Sequence, residues 1–78
     1  MPNNDTYQTR DLGESSALVA RGQQVIRIER VGNICWFVFS GKNDCQIITN
    51  EYWFGKCMVD AKTLNDATAK LKNRIFSN

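Results

Sequence analysis

The chain contains no histidine, and this absence narrows the chemistry that it could perform. Histidine is the commonest general base near neutral pH and a member of most hydrolytic triads. The aspartates and glutamates are scattered without a clear carboxylate pair on one face, and Ser15 and Ser16 have no plausible base. The sequence therefore predicts that the protein is not an enzyme.

Cysteine is scarce as well, with three in 78 residues and no Cys-x-x-Cys pair: Cys35, Cys45 and Cys57. An odd count without paired spacing does not indicate a disulfide framework, and zinc sites generally use four Cys or His ligands. We expect buried free thiols, no metal and no cofactor. A metal site completed by Asp44 or by a second chain, or a thiol-based enzyme, is the weaker alternative. Free thiols without a signal peptide favour a cytoplasmic location.

Long apolar runs and a strong charge of either sign are also missing. No run approaches the roughly 20 residues of a membrane span, so no membrane partner is expected. Ten Lys and Arg against eight Asp and Glu give a net charge of +2, which neither excludes nor indicates a nucleic-acid partner. The polar opening stretch predicts a flexible tail over residues 1–9, followed by a single domain over residues 10–78.

Two elements at the start of this domain have clear local signals. Asp11 can accept hydrogen bonds from the first turn of a helix, and Glu14 three residues later completes a capping-box spacing. This pattern predicts a helix over residues 12–21. Residues 24–31 then alternate, and Gly32-Asn33 is typical of a two-residue hairpin turn into the apolar run that follows.

The turn predicts the register of this hairpin. The expected pairs are Val31 with Ile34, Glu29 with Trp36, Ile28 with Phe37, Arg27 with Val38, and Ile26 with Phe39. The register also predicts the two faces, because directly opposed residues share a face. The core face is expected to carry Ile26, Ile28, Phe37 and Phe39. The other face is expected to carry Val25, Arg27, Glu29, Trp36 and Val38.

The second half of the chain predicts two more strands and a helix. Residues 45–49 fit a third strand, whose register leaves open whether Ile47 or Ile48 faces the core. Residues 56–59 fit a short fourth strand. Asp60 can cap a final helix over residues 61–75, which has a single apolar stripe at Leu64, Ala67, Leu71 and Ile75.

These elements predict an α+β fold. It is a small antiparallel sheet of three to four strands with an N-terminal and a C-terminal helix packed on one face, in the order α-β-β-β-β-α. The opposite face of the sheet would then be open to water or to a partner.

A set of short motifs spread along residues 9–75 resembles a family of small uncharacterised domains of prokaryotes and their viruses. The matching residues are Thr9, Asp11-Leu12, Ser15-Ser16-Ala17-Leu18, Gly22, Phe37-Val38-Phe39, Tyr52, Gly55, Val59-Asp60-Ala61 and Leu71-Lys72. The resemblance implies a compact accessory domain, often encoded by mobile elements. The family has no assigned activity, so no site residue is transferred from it.

Three groups of residues are candidates for binding, and each also has a purely structural interpretation. Arg27 and Trp36 on the open face suit a protein interface or base stacking, unless Trp36 packs across its neighbours. Tyr52, Trp53 and Phe54 cannot all point inward, so they form a recognition loop, a dimer contact or a plug at the end of the core. The basic residues are either a phosphate-facing patch or solvated surface: Lys42, Lys56, Lys70, Lys72 and Arg74.

The sequence thus favours a non-enzymatic binding or accessory module that acts through protein–protein interaction, self-association as a homodimer being one form of it. The alternative is a nucleic-acid-binding accessory protein. It would use the open sheet face together with Lys42, Lys56 and the basic end of the last helix.

Overall fold

The computed structural model describes residues 5–76, which form three strands and three helices. In chain order these are β1 (Thr6–Thr9), α1 (Leu12–Ala20), β2 (Val25–Val31), β3 (Ile34–Ser40), α2 (Lys42–Trp53) and α3 (Ala61–Phe76). The predicted α+β class is confirmed. The strand number falls at the lower end of the predicted range, and the element order differs from the predicted one.

The sheet is antiparallel in the order β1-β3-β2, so β3 is its central strand. This position explains why residues 35–39 are apolar without alternation. Phe37 and Phe39 are buried on one face, and Val38 is buried on the other, paired with Gln8 of β1 and Arg27 of β2. A central strand has neighbours on both sides, and these can cover its side chains even on a face without a helix.

The hairpin between β2 and β3 has the predicted turn and most of the predicted register. Gly32 has a φ of 61°, which the left-handed conformation of such a turn requires. Four of the predicted pairs are confirmed: Val31 with Ile34, Glu29 with Trp36, Ile28 with Phe37, and Arg27 with Val38.

A bulge at Ile26 corrects the far end of this register. Val25, not Ile26, lies opposite Phe39, and the register shifts between Val25 and Arg27. Ile26 is exposed, whereas Val25 packs against the core. The prediction that placed Ile26 on the core face and Val25 on the other face is therefore wrong, because one extra residue inverts the alternation beyond it.

Strand β1 lies within the stretch that was predicted to be a flexible tail. Residues Thr6–Thr9 pair with β3, and Tyr7 and Thr9 lie opposite Phe39 and Phe37 on the core side. The tail prediction is thus wrong for these four residues, while residues 1–4 lie outside the described part of the chain. A short strand with polar residues is stabilised here by its neighbour rather than by its own apolar content.

Helix α2 replaces the predicted third strand. The strand prediction for residues 45–49 is wrong, since they lie inside α2. The helix begins after Gly41 without a side-chain cap from its own sequence. Asp5, far away in the chain, accepts a hydrogen bond from the Lys42 backbone N–H at 3.1 Å, and its carbonyl accepts from Gly41. Residues 56–59 form an irregular connection rather than a fourth strand.

Helices α1 and α3 form as predicted, each capped by an aspartate. The Asp11 carboxylate accepts from the Glu14 N–H at 2.8 Å, and the Asp60 carboxylate accepts from the Thr63 N–H at 3.1 Å. The predicted apolar stripe of α3 faces inward, with Ala67 and Leu71 buried. None of the helices within residues 5–76 has the length and apolar character needed to cross a membrane.

One core joins all three helices to a single face of the sheet. Its buried members are Leu18 from α1, Phe37 and Phe39 from β3, Cys45 and Ile48 from α2, and Leu71 from α3. Because every helix contributes to this side, the other face of the sheet has no helix over it within residues 5–76.

Candidate functional site

The sheet face opposite the helices carries an apolar surface at the hairpin end. The pairing register places Ile34, Trp36 and Val38 of β3 on this face, beside Val31 and Arg27 of β2. Val31 and Ile34 are exposed and Trp36 is half-buried. We call these residues, together with Glu29, the open face. It brings together the two side chains that the sequence singled out for this surface, Arg27 and Trp36.

The charges of the open face are paired with each other. The Arg27 guanidinium donates to the Glu29 carboxylate at 2.6 Å, and both side chains are about half exposed. Residues two apart on a strand share a face, so this pair flanks the apolar residues without giving the surface a net charge. Such a pair contributes little to stability in water, about 1 kcal/mol or less. It does place one charge of each sign at the surface.

The aromatic residues Tyr52, Trp53 and Phe54 lie at the end of α2, and they divide between core and solvent. Tyr52 is half-buried against α1: a Cβ at Gly13 would lie 2.5 Å from its hydroxyl, so a larger residue there would displace the Tyr52 ring. Trp53 and Phe54 are exposed, and the Tyr52 and Trp53 rings meet edge to face at 5.0 Å. The prediction that the three cannot all point inward is confirmed.

A buried carboxylate that the sequence assigned to a helix cap connects three elements. Glu14 is 4% exposed, and its side chain accepts hydrogen bonds from Tyr7 at 2.7 Å, from Thr9, and from the Trp53 indole at 3.3 Å. We call these four residues the Glu14 cluster. The predicted capping box is therefore only half formed, because Asp11 caps the helix while Glu14 turns toward β1 and α2.

The Glu14 cluster has the character of a structural cross-link. Burial raises the pKa of the Tyr7 phenol above its usual value of 10.0, so the hydroxyl is protonated and donates at neutral pH, as an unperturbed phenol would. Three donors share the two carboxylate oxygens, and charge-assisted bonds of this kind are stronger than neutral ones. Sequence reasoning missed the cluster because a capping box explained Glu14. The alternation of Tyr7 and Thr9 was the signal that could have indicated an inward-facing strand beside it.

The basic candidate residues are distributed over separate parts of the molecule. Lys42 and Lys56 stand at opposite ends of α2, which spans about 18 Å at 1.5 Å per residue. Lys70 and Arg74 lie one turn apart on α3, on the helical side of the sheet, and line a cleft there. The structure therefore does not bring these four side chains together with Arg27 and Trp36 on one surface.

The three cysteines have different surroundings. Cys45 is fully buried, and burial, followed by the nearby Asp44 carboxylate, raises its pKa to about 11. Cys35 and Cys57 are half-buried, with the guanidinium groups of Arg30 and Arg21 at 3.3 Å and 3.8 Å from their sulfur atoms. Over residues 5–76, the Cys, Asp and Glu side chains form no group of three that could hold a metal ion.

Alkylation of Cys45 in the folded protein should be at least about 100-fold slower than in the unfolded chain near pH 8. A pKa of about 11 against the usual 9.0 lowers the reactive thiolate fraction by about this factor, and burial slows access further. Mass spectrometry of peptides after iodoacetamide treatment, with and without urea, measures the ratio. Cys35 and Cys57 are the internal controls. A ratio below about ten would contradict the buried position of this thiol.

Comparison of the chain with protein-family models, with curated proteins and with solved structures gives no significant match. The resemblance to a family of small prokaryotic and viral domains stays a prediction from the sequence.

Proposed function

We propose that this chain is a non-enzymatic protein-binding module whose open face docks a second copy of itself. The observation that carries the proposal is the one-sided arrangement of the fold. All three helices contribute to the core on one side of the sheet, and Trp36 with Val31 and Ile34 lies on the other.

The composition of the open face suits a protein partner. Aromatic residues and arginine are enriched in interfaces, and clustered apolar residues with a polar rim are typical of a docking surface. Here the apolar residues Val31, Ile34 and Trp36 lie beside the Arg27–Glu29 pair. Because this pair leaves the surface without a net charge, neither an acidic nor a basic partner is favoured by attraction alone.

The same pair supports self-association. In a two-fold symmetric dimer the same patch meets itself, so Arg27 of one copy can approach Glu29 of the other and the reverse. A patch with one charge of each sign is therefore complementary to itself. Docking in this way would exchange the intramolecular ion pair of each copy for two intermolecular pairs and cover the indole of Trp36.

Nucleic-acid binding is the second outcome that the test must distinguish. Arg27 and Trp36 share a face, as a stacking platform needs, but Arg27 is already paired with Glu29. Lys70 and Arg74 lie on the helical side. A nucleic acid would therefore have to contact two separate surfaces of this small domain.

Replacing Trp36 with alanine should weaken self-association at least about tenfold while lowering the free energy of unfolding by less than about 2 kcal/mol. Interface tryptophans often contribute 2 kcal/mol or more to binding, whereas a half-buried side chain costs less than a core deletion. Sedimentation equilibrium over a range of concentrations measures the association, and urea denaturation measures the stability. A stability loss of about 3 to 5 kcal/mol would place Trp36 in the core and contradict the proposal.

The charge pair provides the matched controls. Arg27→Glu and Glu29→Arg each place like charges opposite one another in the symmetric dimer, so each should weaken association. The double variant, Arg27→Glu with Glu29→Arg, again has one charge of each sign and should therefore restore association. Equal behaviour of all three variants would contradict docking through this face. Binding of a single-stranded oligonucleotide that falls steeply between low and moderate salt, and that is lost in Trp36→Ala, would instead establish the nucleic-acid alternative.

A further inference from the structure

A cleft on the helical side of the molecule has a composition different from the open face. It lies between the C-terminal end of α1, the start of β2 and the C-terminal half of α3, and its volume is about 270 Å³. The lining residues are Val19, Gln23, Gln24, Val25, Lys70, Leu71 and Arg74.

The cleft combines apolar walls with positive charge. Val19, Val25 and Leu71 supply the apolar surface, while Lys70 and Arg74 supply the cations. Among the lining residues within the described range 5–76, none is acidic. Asp66, one turn before Lys70 on α3, bonds Lys62 at 3.2 Å. The charged side chains among these described lining residues, Lys70 and Arg74, are therefore both cationic.

Arg74 is held at the wall of this cleft. Its guanidinium donates to the Val25 carbonyl at 3.1 Å, which connects α3 to the first residue of β2. A guanidinium is positively charged at neutral pH and carries five N–H donors. The bond restricts the side chain, so less conformational entropy is lost when an anion binds beside it.

We propose that this cleft binds a small organic anion, a carboxylate attached to a short apolar body. Small-molecule sites are concave and mostly apolar, with a few polar groups that orient the ligand. At about 30 Å³ for each water-sized group, the volume accommodates about nine non-hydrogen atoms. A medium-length fatty acid such as hexanoate is of this size. The site is separate from the open face and does not depend on self-association there.

Titration of the full chain, labelled with ¹⁵N, with hexanoate tests the proposal directly. We expect saturable shifts of the backbone amide signals of Val19, Gln24, Val25 and Lys70, with a dissociation constant of about 1 to 10 mM. Hexan-1-ol has the apolar body without the charge, and acetate has the charge without the body. Each should bind at least about fivefold more weakly than hexanoate, because each lacks one of the two contributions.

Two lysine variants on the same helix isolate the role of the charge. Lys70→Gln should weaken hexanoate binding about threefold to fivefold, the effect of one exposed charge beside the ligand. Lys72→Gln removes an equal charge from an exposed position that does not line the cleft, and it should leave binding unchanged. Both variants retain the buried core, so the free energy of unfolding should stay close to that of the parent chain.

A short acetylated peptide ending in leucine, as the free acid and as the amide, identifies the source of the carboxylate. If the peptide acid binds as well as hexanoate and the peptide amide does not bind, the ligand of the cleft is the C-terminal carboxylate of a polypeptide. Weaker binding of both peptides assigns it to free acids. The proposal is overturned if hexan-1-ol binds as well as hexanoate, if the two lysine variants behave alike, or if no saturable shift occurs at these amides.

Discussion

Replacing Ile48 with alanine should lower the free energy of unfolding by about 2 to 4 kcal/mol. Ile48 is only 6% exposed in the core that joins α2 to Phe37, Phe39 and Leu71. Truncation of a buried isoleucine removes its transfer free energy and leaves a cavity that the surroundings fill only in part. In so small a domain this is a large fraction of the total stability. Urea denaturation followed by circular dichroism measures it, with the slope of the transition unchanged.

The neighbouring Ile47 is the matched control, because the chemical change is identical. It is 58% exposed on the outer side of α2, and Ile47→Ala should cost less than about 0.5 kcal/mol. The pair also tests the helix itself. In a strand, Cys45 and Ile47 would share a face, whereas in a helix Cys45, Ile48 and Thr49 do, as their burial shows. If Ile47→Ala lowers the free energy of unfolding as much as Ile48→Ala does, residues 45–49 do not form the helix α2.

Replacing Glu14 with alanine should cost about 3 kcal/mol of stability. The change leaves the Tyr7 and Thr9 hydroxyls and the Trp53 indole without their shared acceptor, and a buried unsatisfied donor costs about 1 to 3 kcal/mol. Part of this cost is recovered where water can reach the site, since the Trp53 ring is exposed. Urea denaturation again measures the difference.

Glu29→Ala is the control for the loss of a carboxylate. Its single ion pair with Arg27 is about half exposed, so the expected cost is below about 1 kcal/mol. A double-mutant cycle of Tyr7→Phe with Glu14→Ala should give a coupling energy above about 0.5 kcal/mol, since the two groups are in contact. Additive effects, or a cost for Glu14→Ala that matches Glu29→Ala, would show that the Glu14 cluster does not connect β1 to the helices.

Together these variants separate stability from binding. Ile48 and Glu14 lie on the helical side of the sheet, where side chains of all three helices form one core with Phe37 and Phe39 of β3 and where Tyr7 of β1 bonds Glu14. Trp36 and its neighbours lie on the other side. A change on the helical side should therefore act on unfolding, and a change on the open face should act mainly on association.

Local patterns were sufficient for the elements whose stabilising contacts lie close together in the chain. Asp11 and Asp60 cap the helices that follow them, and Gly32-Asn33 sets the turn between adjacent strands. The apolar stripe of α3 repeats at the helical period. From these the sequence predicted two helices, one hairpin and the face that carries Trp36.

Elements stabilised by distant residues could not be predicted in this way. The run Ile47-Ile48-Thr49 is β-branched, which favours a strand, but Asp5 bonds the first turn of α2 and Ile48 fills the core beside Phe37. Thr6–Thr9 is too short and polar to be recognised, and it is a strand because β3 lies beside it.

The same distinction applies to the candidate binding residues. The sequence by itself determined that Arg27 and Trp36 share a sheet face, because the turn sets the register of directly opposed residues. Only the tertiary structure decided that Glu14 is enclosed by Tyr7, Thr9 and Trp53, and that Lys70 and Arg74 line a cleft of their own. Spacing along the chain specifies neighbours within a turn or a hairpin, whereas packing between elements specifies all the others.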